Sequence, residues 1–437
     1  MLQLQAKLTM SSVEWRGHDV LGFNYCEVGM ISVITPTNNP KYLLDCWESL
    51  KNQTFQDFEW VIVPNNGCCV DLQNEKICVV PYTEATQSIG KIKNFAFSQG
   101  KGDWLLELDH DDILLPTALE ELSKVGSDFD FAYCNTANFH NETWKPDVYN
   151  RNYGWSTKQF EYQGHALFEH ISFEPTPASL RLIYWAPNHF RAWRREFYHK
   201  IGGHSDLPVC DDHELVIKTY LNGSMKRIGK CLYLYRIVGN EWNQWLKNNK
   251  DIQKVTHELQ DKYIYQLIER WAYLNNLKKI DLGGRFGCPK GYISVDRKDA
   301  EICCNLNDCW PLLDNSVGVV RAFDILEHLS NPVHTMSEIH RVLAPGGYLI
   351  SMTPSTDGRG AFQDPTHITF WNENSFWYYT RAEQAKYTDN NSIRFQTMRL
   401  KTDYPSDWHR QHNISYVYAD LAVLKDRVDR LPGLVEI

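Results

Sequence analysis

Residues 100–115, GKGDWLLELDHDDILL, run an apolar strand, WLLEL, straight into Asp109-His110-Asp111-Asp112, and a second apolar run follows. Carboxylates at the end of a buried strand are costly unless cations or hydrogen-bond donors meet them. Such a cluster is therefore either a metal site or a solvated turn. Two carboxylates one residue apart, on a turn where both face one cavity, suit an oxygen-preferring divalent cation that also holds phosphates. The acidic turn alone does not decide between these readings, because acidic turns are common.

The rest of the chain supplies the frame. Its 437 residues exceed one ordinary domain, and two or three are expected. A hydrophobic fraction of 43% is ample for packed cores. The formal net charge of −9 argues against a nucleic-acid or membrane-surface protein. No apolar run is long enough to span a bilayer, and the first 20 residues show no basic segment followed by an apolar core. The 12 cysteines include the adjacent pairs Cys68-Cys69 and Cys303-Cys304 and form no paired C-x-x-C framework. Reduced, mostly buried cysteines in a soluble cytoplasmic enzyme are the expectation.

A polar lead without periodicity covers 1–28. From Met30 the pattern alternates: strands at 31–36, 58–64, 77–82 and from Trp104, with helical spacing at 43–53 and 88–99. Strands alternating with helices indicate a parallel α/β sheet, whose ligands bind at the carboxyl ends of strands. Thr35, Asn65 and Asp109 lie at such ends. Residues 139–190 read as irregular, aromatic-rich acceptor loops, 246–278 as a helical connector, and a second α/β unit begins at Lys279. Residues 381–437 are uninformative.

The ordered segments ISVITPTNNP, FEWVIVPNNG, GKIKNFAFSQGKGDWLLELDHDD and GGHSDLPVCDDHELVIKTYLNG resemble the family 2 glycosyltransferases of the GT-A fold, over 29–245. The resemblance implies a nucleotide-sugar site built from Thr35, Pro36, Asn65, Lys93, Asn94 and Asp109. It also implies a divalent cation, Mn2+ or Mg2+, at Asp109 and Asp111. Cys210-Asp211-Asp212-His213-Glu214-Leu215 resembles the E-D-x-x-L segment that carries the general base of inverting enzymes, with Asp212 the best match and Asp211 the alternative. An acceptor hydroxyl must lose its proton while attacking the anomeric carbon opposite the nucleotide, which requires one carboxylate across the sugar from the metal. Val238 stands where family members often carry a metal-binding His.

A second ordered set, KKIDLGGRFG, ISVD, VVRAFDILEHL and IHRVLAPGGYLISMTP, resembles a class I S-adenosylmethionine-dependent methyltransferase of Rossmann-like fold. Glycines after the first strand let backbone approach a cofactor closely, and an acid ending the second strand holds ribose hydroxyls. The resemblance assigns Gly283, Gly284 and Gly287 to the first role, Asp296 to the second, and Asp324 to the cofactor's surroundings. Arg285 replaces the usual middle glycine, and only eight residues separate Gly287 from Asp296, too few for the usual first helix. In the polar, aromatic loop at 354–379, His367 is a candidate base, as is His328 upstream.

These features lead to a two-part α/β enzyme of glycan synthesis: a GT-A unit at 29–245, the connector at 246–278, and a methyltransferase-like unit at 279–437. The expected partners are a nucleotide-sugar donor and a glycan or glycosylated acceptor, with no nucleic acid and no transmembrane segment. The alternative keeps the glycosyltransferase and makes the C-terminal half a non-catalytic binding module.

Overall fold

The structure is a computed structural model and describes residues 29–149, 151–183, 186–238, 244–388, 392–425 and 434. The polar lead at 1–28 lies outside the described residues. Among the described residues, two sheets organise the chain.

In the first sheet the strands Ile77–Val79, Phe58–Pro64, Ile31–Thr37 and Trp104–Glu107 lie side by side and parallel. The chain builds outward from Ile31–Thr37 on one side, then returns to place Trp104–Glu107 on the other. That reversal opens a crevice at the carboxyl ends of the two central strands. Beyond it the sheet is mixed rather than parallel throughout. Arg191–Arg194 runs antiparallel to both Trp104–Glu107 and Phe131–His140, and Met225–Ile237 follows parallel to the latter. The stretch read as irregular loops contains an antiparallel ribbon, Ser156–Tyr162 with His165–Ile171. Its aromatic and charged residues obscure the period-two pattern, because the first of these strands is largely solvent-facing.

The second sheet has the order Ile302–Cys303, Ile293–Asp296, Lys278–Leu282, Val317–Phe323, Leu343–Pro354, Tyr416–Leu424, Arg394–Asp403. The first five are parallel, and the last two form an antiparallel edge. The uninformative C-terminal segment is thus a hairpin-like pair that completes this sheet. Its strand order also reverses, between Lys278–Leu282 and Val317–Phe323.

The helix expected as a connector spans Gln244–Leu274 and is part of both cores. Ile252, Leu259 and Leu267 pack with Val216, Ile217 and Tyr220 of the helix Asp211–Asn222. Ile264, Ile268, Trp271 and Ala272 pack with Val319, Tyr348 and Ile350 of the second sheet. Spacings of three and four residues put these side chains on adjoining stripes of one helix. The crossover from Leu282 to Ile293 contains turns and no helix, and Tyr292 from that crossover packs into the cluster formed by the long helix.

Candidate active sites

The first crevice is floored by buried charge. Glu107, fully buried at the end of its strand, lies 2.5 Å from Lys93 Nζ. Its other carboxylate oxygen faces His189 Nδ1 at 3.8 Å and Arg191 Nη1 at 3.9 Å. Burial alone raises the Glu107 pKa, but Lys93, His189 and Arg191 overcome it and hold the carboxyl at about 2. Burial and Arg191 push the His189 imidazole pKa down, against the pull of Asp109 and Glu107. Arg191, 2% exposed, extends to Asp212 Oδ2 at 2.7 Å and holds that carboxylate well below the ordinary range against the effect of burial.

The acidic turn divides its labour. Asp112 is sealed inside: it accepts from Tyr233 Oη and from the Arg236 backbone N–H, each at 2.7 Å. Arg236 also bonds the Asp111 carbonyl, Asn141 Oδ1 and Asp45 Oδ2, fixing the turn. The Asp109 carboxylate is 31% exposed, with His189 Nε2 at 3.7 Å. Burial and the neighbouring Asp109 raise the Asp111 pKa. Asp109 and Asp111 are thus only half-buried, whereas Asp112 is buried and braces the turn. Hard oxygen donors that crowd one another fit a divalent cation, which would relieve their repulsion.

The two acids of the Cys210–Leu215 segment separate in the same way. The helix Asp211–Asn222 starts after Cys210, which sits at φ +61, so both carboxylates fall in its first turn. Asp211 is 3% exposed and lies 2.8 Å from His204 Nδ1, whereas the Asp212 side chain is 30% exposed. Only Asp212 has the access an acceptor hydroxyl requires. Gly90 makes this arrangement possible: a Cβ there would come within 1.8 Å of the Ser205 carbonyl.

Other sequence candidates have internal partners. Thr35 is fully buried, and its Oγ1 accepts from Trp60 Nε1 inside the core. Lys93 is bound to Glu107, and Asn94 donates to the carbonyl of His204 at 2.7 Å, holding the loop before Asp211. Asn65 donates to the Thr37 carbonyl and ties two strand ends together, while Pro36 between them is half-buried. Glu107, His189 and Arg191 were not singled out in the sequence. A Glu inside an otherwise apolar run was the available signal, since it demands a buried cation.

At the second reversal, Gly283 (φ +72) donates to the Val295 carbonyl, and its missing Cβ leaves room for Ile325. Gly287 (φ +82) has nothing within 4 Å of where a Cβ would stand, so the turn is open on that side. Gly284 lies against Asp281, a buried acid paired with Arg321 Nη1 at 2.6 Å. Asp296 ends the second strand half-buried, with one oxygen accepting from the Arg297 N–H. Arg285 turns to Asp299 at 2.7 Å, an exposed pair beside this strand end. Asp324 follows the fourth strand at φ +50, an uncommon backbone for a residue with a side chain. An open glycine turn with carboxylates at the next strand ends fits a nucleoside-bearing cofactor without phosphate. A cavity lined by His340, Arg341, Gly346 and Lys425 lies at the opposite, amino-terminal end of Leu343–Pro354, away from both crevices.

All cysteines among the described residues are unpaired, and no described helix is long and apolar enough to cross a membrane.

Comparison with known proteins agrees with the two-part architecture. Residues 32–189 match the model of glycosyl transferase family 2, and residues 292–351 match that of a methyltransferase domain. An uncharacterised glycosyltransferase of Haemophilus influenzae is 28% identical over 200 residues, 43% of this chain and 61% of its own length. Another, from Methanocaldococcus jannaschii, is 34% identical over 105 residues, 22% of this chain and 36% of its own. The chain therefore spans only part of these relatives. The solved structure of TarS from S. aureus aligns with a TM-score of 0.40 and 19% identity, covering 56% of this chain and 43% of that one. The chain carries a glycosyl transferase family 2 domain followed by a methyltransferase domain.

Proposed function

We propose that the chain is a bifunctional enzyme of glycan synthesis, transferring a sugar from a nucleotide-sugar donor with inversion and methylating a sugar hydroxyl. The reading rests above all on one observation: Asp109 and Asp212, both accessible, are joined beneath the first crevice by the chain His189, Glu107 and Arg191. The carboxylates of the acidic turn and of the helix Asp211–Asn222 thereby stand over one buried floor of polar and charged side chains.

In this reading the acceptor hydroxyl attacks the anomeric carbon, its proton passes to an Asp212 oxygen, and the bond from that carbon to the nucleotide diphosphate breaks. Asp212 is ionised throughout the physiological range. Arg191 meanwhile fixes its orientation. Asp109 and Asp111 would hold a divalent cation, Mn2+ or Mg2+, which neutralises charge on the departing diphosphate when bound.

In the C-terminal half, Gly283, Gly284 and Gly287 would accept S-adenosylmethionine, with Asp296 receiving its ribose hydroxyls and Asp324 beside it. The cofactor supplies an electrophilic methyl group. The exposed rings of Phe362 and Phe370 stack with centroids 5.2 Å apart near His367 and offer a face for the apolar side of a sugar. Mass spectrometry of products from a panel of nucleotide sugars, with S-adenosylmethionine present, tests both halves together. An acceptor that gains sugar and never methyl would reduce the C-terminal half to a binding module.

A further inference from the structure

We infer that Glu327, His328 and His367 form a second metal site, in the methyltransferase half, for a divalent transition ion such as Zn2+ or Co2+. Each residue offers one ligand atom, and these atoms lie within 4.8 Å of one another. Two imidazoles and one carboxylate make a nitrogen-rich set, which suits zinc, iron, cobalt or manganese rather than magnesium or calcium.

Three observations make the cluster a prepared site. First, Glu327 is 2% exposed, and its Oε1 has no hydrogen-bond partner, while Oε2 accepts from Thr353 Oγ1. A buried carboxylate oxygen without a donor is costly and calls for a partner, an ion or a water. His367 Nε2 stands 3.9 Å from that oxygen.

Second, both rings are held in the form that binds a metal through Nε2. His367 Nδ1 is 3.0 Å from the Ala361 carbonyl, and His328 Nδ1 is 3.1 Å from the Thr366 carbonyl. A carbonyl only accepts, so each Nδ1 carries a hydrogen, and in the neutral ring Nε2 is the atom with the lone pair. Metal-binding histidines are oriented by this kind of contact.

Third, the two loops are fastened together. The Glu327 carbonyl accepts from the N–H groups of Ile368 and Thr369, and Thr369 Oγ1 donates to the Leu326 carbonyl. The rings of His328 and His367 meet edge to face with centroids 4.9 Å apart. Bonds of about 2.0–2.1 Å in a tetrahedral site put ligand atoms about 3.4 Å apart, so the cluster would draw in by roughly 1 Å on binding.

The site stands beside Asp324, past the carboxyl end of Val317–Phe323. There a bound ion would orient an acceptor hydroxyl and make it more acidic. That role rests on the methyltransferase reading, whereas metal binding does not.

The test uses the full chain, stripped with a chelator and dialysed against Zn2+, in an Asp111→Ala background that removes the carboxylate cation site of the first crevice. One tightly held Zn2+ per chain is expected, resistant to excess Mg2+. Co2+ in its place should give visible ligand-field bands characteristic of imidazole ligation. His367→Ala and His328→Ala should each weaken retention at least tenfold and abolish those bands. Glu327→Gln, which keeps the size of the side chain, should do the same with an unchanged far-ultraviolet circular dichroism spectrum. No retained Zn2+, or retention equal to the parent in a folded Glu327→Gln chain, would overturn the site. Titration of the same samples with S-adenosylmethionine separates the two ideas. Zinc binding without cofactor binding retains the site and removes the methyltransferase reading, and cofactor binding without zinc does the reverse.

Discussion

Both sheets reverse their strand order between the first strand and the one that returns beside it, yet the two seams are built from different materials. The seam between Ile31–Thr37 and Trp104–Glu107 is braced by buried ions, with Lys93, Glu107, Arg191 and Asp212 in continuous contact. At the seam between Lys278–Leu282 and Val317–Phe323, glycine conformation dominates instead, at Gly283 and Gly287, beside the part-buried pair Asp281 and Arg321. In the proposed function one such crevice serves a highly charged diphosphate donor and the other a cofactor that lacks phosphate. The floor chemistry, rather than the fold, separates the two.

The largest effects should come from cutting the charged seam at its open carboxylates. Asp111→Ala should abolish sugar transfer while S-adenosylmethionine binding persists, measured by donor turnover and by calorimetry on the same sample. Asp212→Asn should lower turnover by about 10²–10⁴-fold with donor affinity nearly unchanged, as expected for loss of a general base. If Asp211→Asn does this instead, access to the crevice has been misjudged.

Glu107→Gln tests the brace rather than the chemistry. It leaves Lys93 buried without its carboxylate, which should destabilise the fold by about 3–5 kcal/mol in denaturant unfolding. The exposed pair beside the second seam provides the contrast. Asp299→Asn removes the partner of Arg285 at the surface and should change stability by no more than about 1 kcal/mol. Equal losses in the two variants would erase the proposed difference between the seams.

Asp296→Ala lies between these extremes. Removing a charged acceptor of ribose hydroxyl bonds should cost S-adenosylmethionine affinity about 1.5–3 kcal/mol for each bond lost, with sugar transfer untouched. Calorimetry on wild type and variant measures it.

Much of this was legible in the sequence. The strands Ile31–Thr37 and Phe58–Pro64, the helix Ile89–Ser98 and the acidic turn all follow from local pattern. So did the missing helix after Gly287, because eight residues cannot hold a helical crossover. The buried partners were not legible. Arg191 and Glu107 are far apart in the chain and meet only through an antiparallel strand pairing. Thr35 lies near a promising strand end, yet it is fully buried against Trp60, a partner that only the packed sheet reveals. Arg394–Asp403 and Tyr416–Leu424 escaped notice because their polar and apolar residues are set by sheet neighbours rather than by a simple alternation.

Two separate transferase sites on one chain, one at each seam, should be separable by single substitutions. The most direct measurement is the mass of an acceptor incubated with nucleotide sugar and S-adenosylmethionine, using wild type, Asp111→Ala and Asp296→Ala. Wild type should add both sugar and methyl. Asp111→Ala should lose sugar transfer yet still methylate an acceptor already bearing the sugar, and Asp296→Ala should add sugar and lose methyl transfer at limiting cofactor. Loss of both activities in either single variant, or a wild-type product that never carries methyl, would contradict the account.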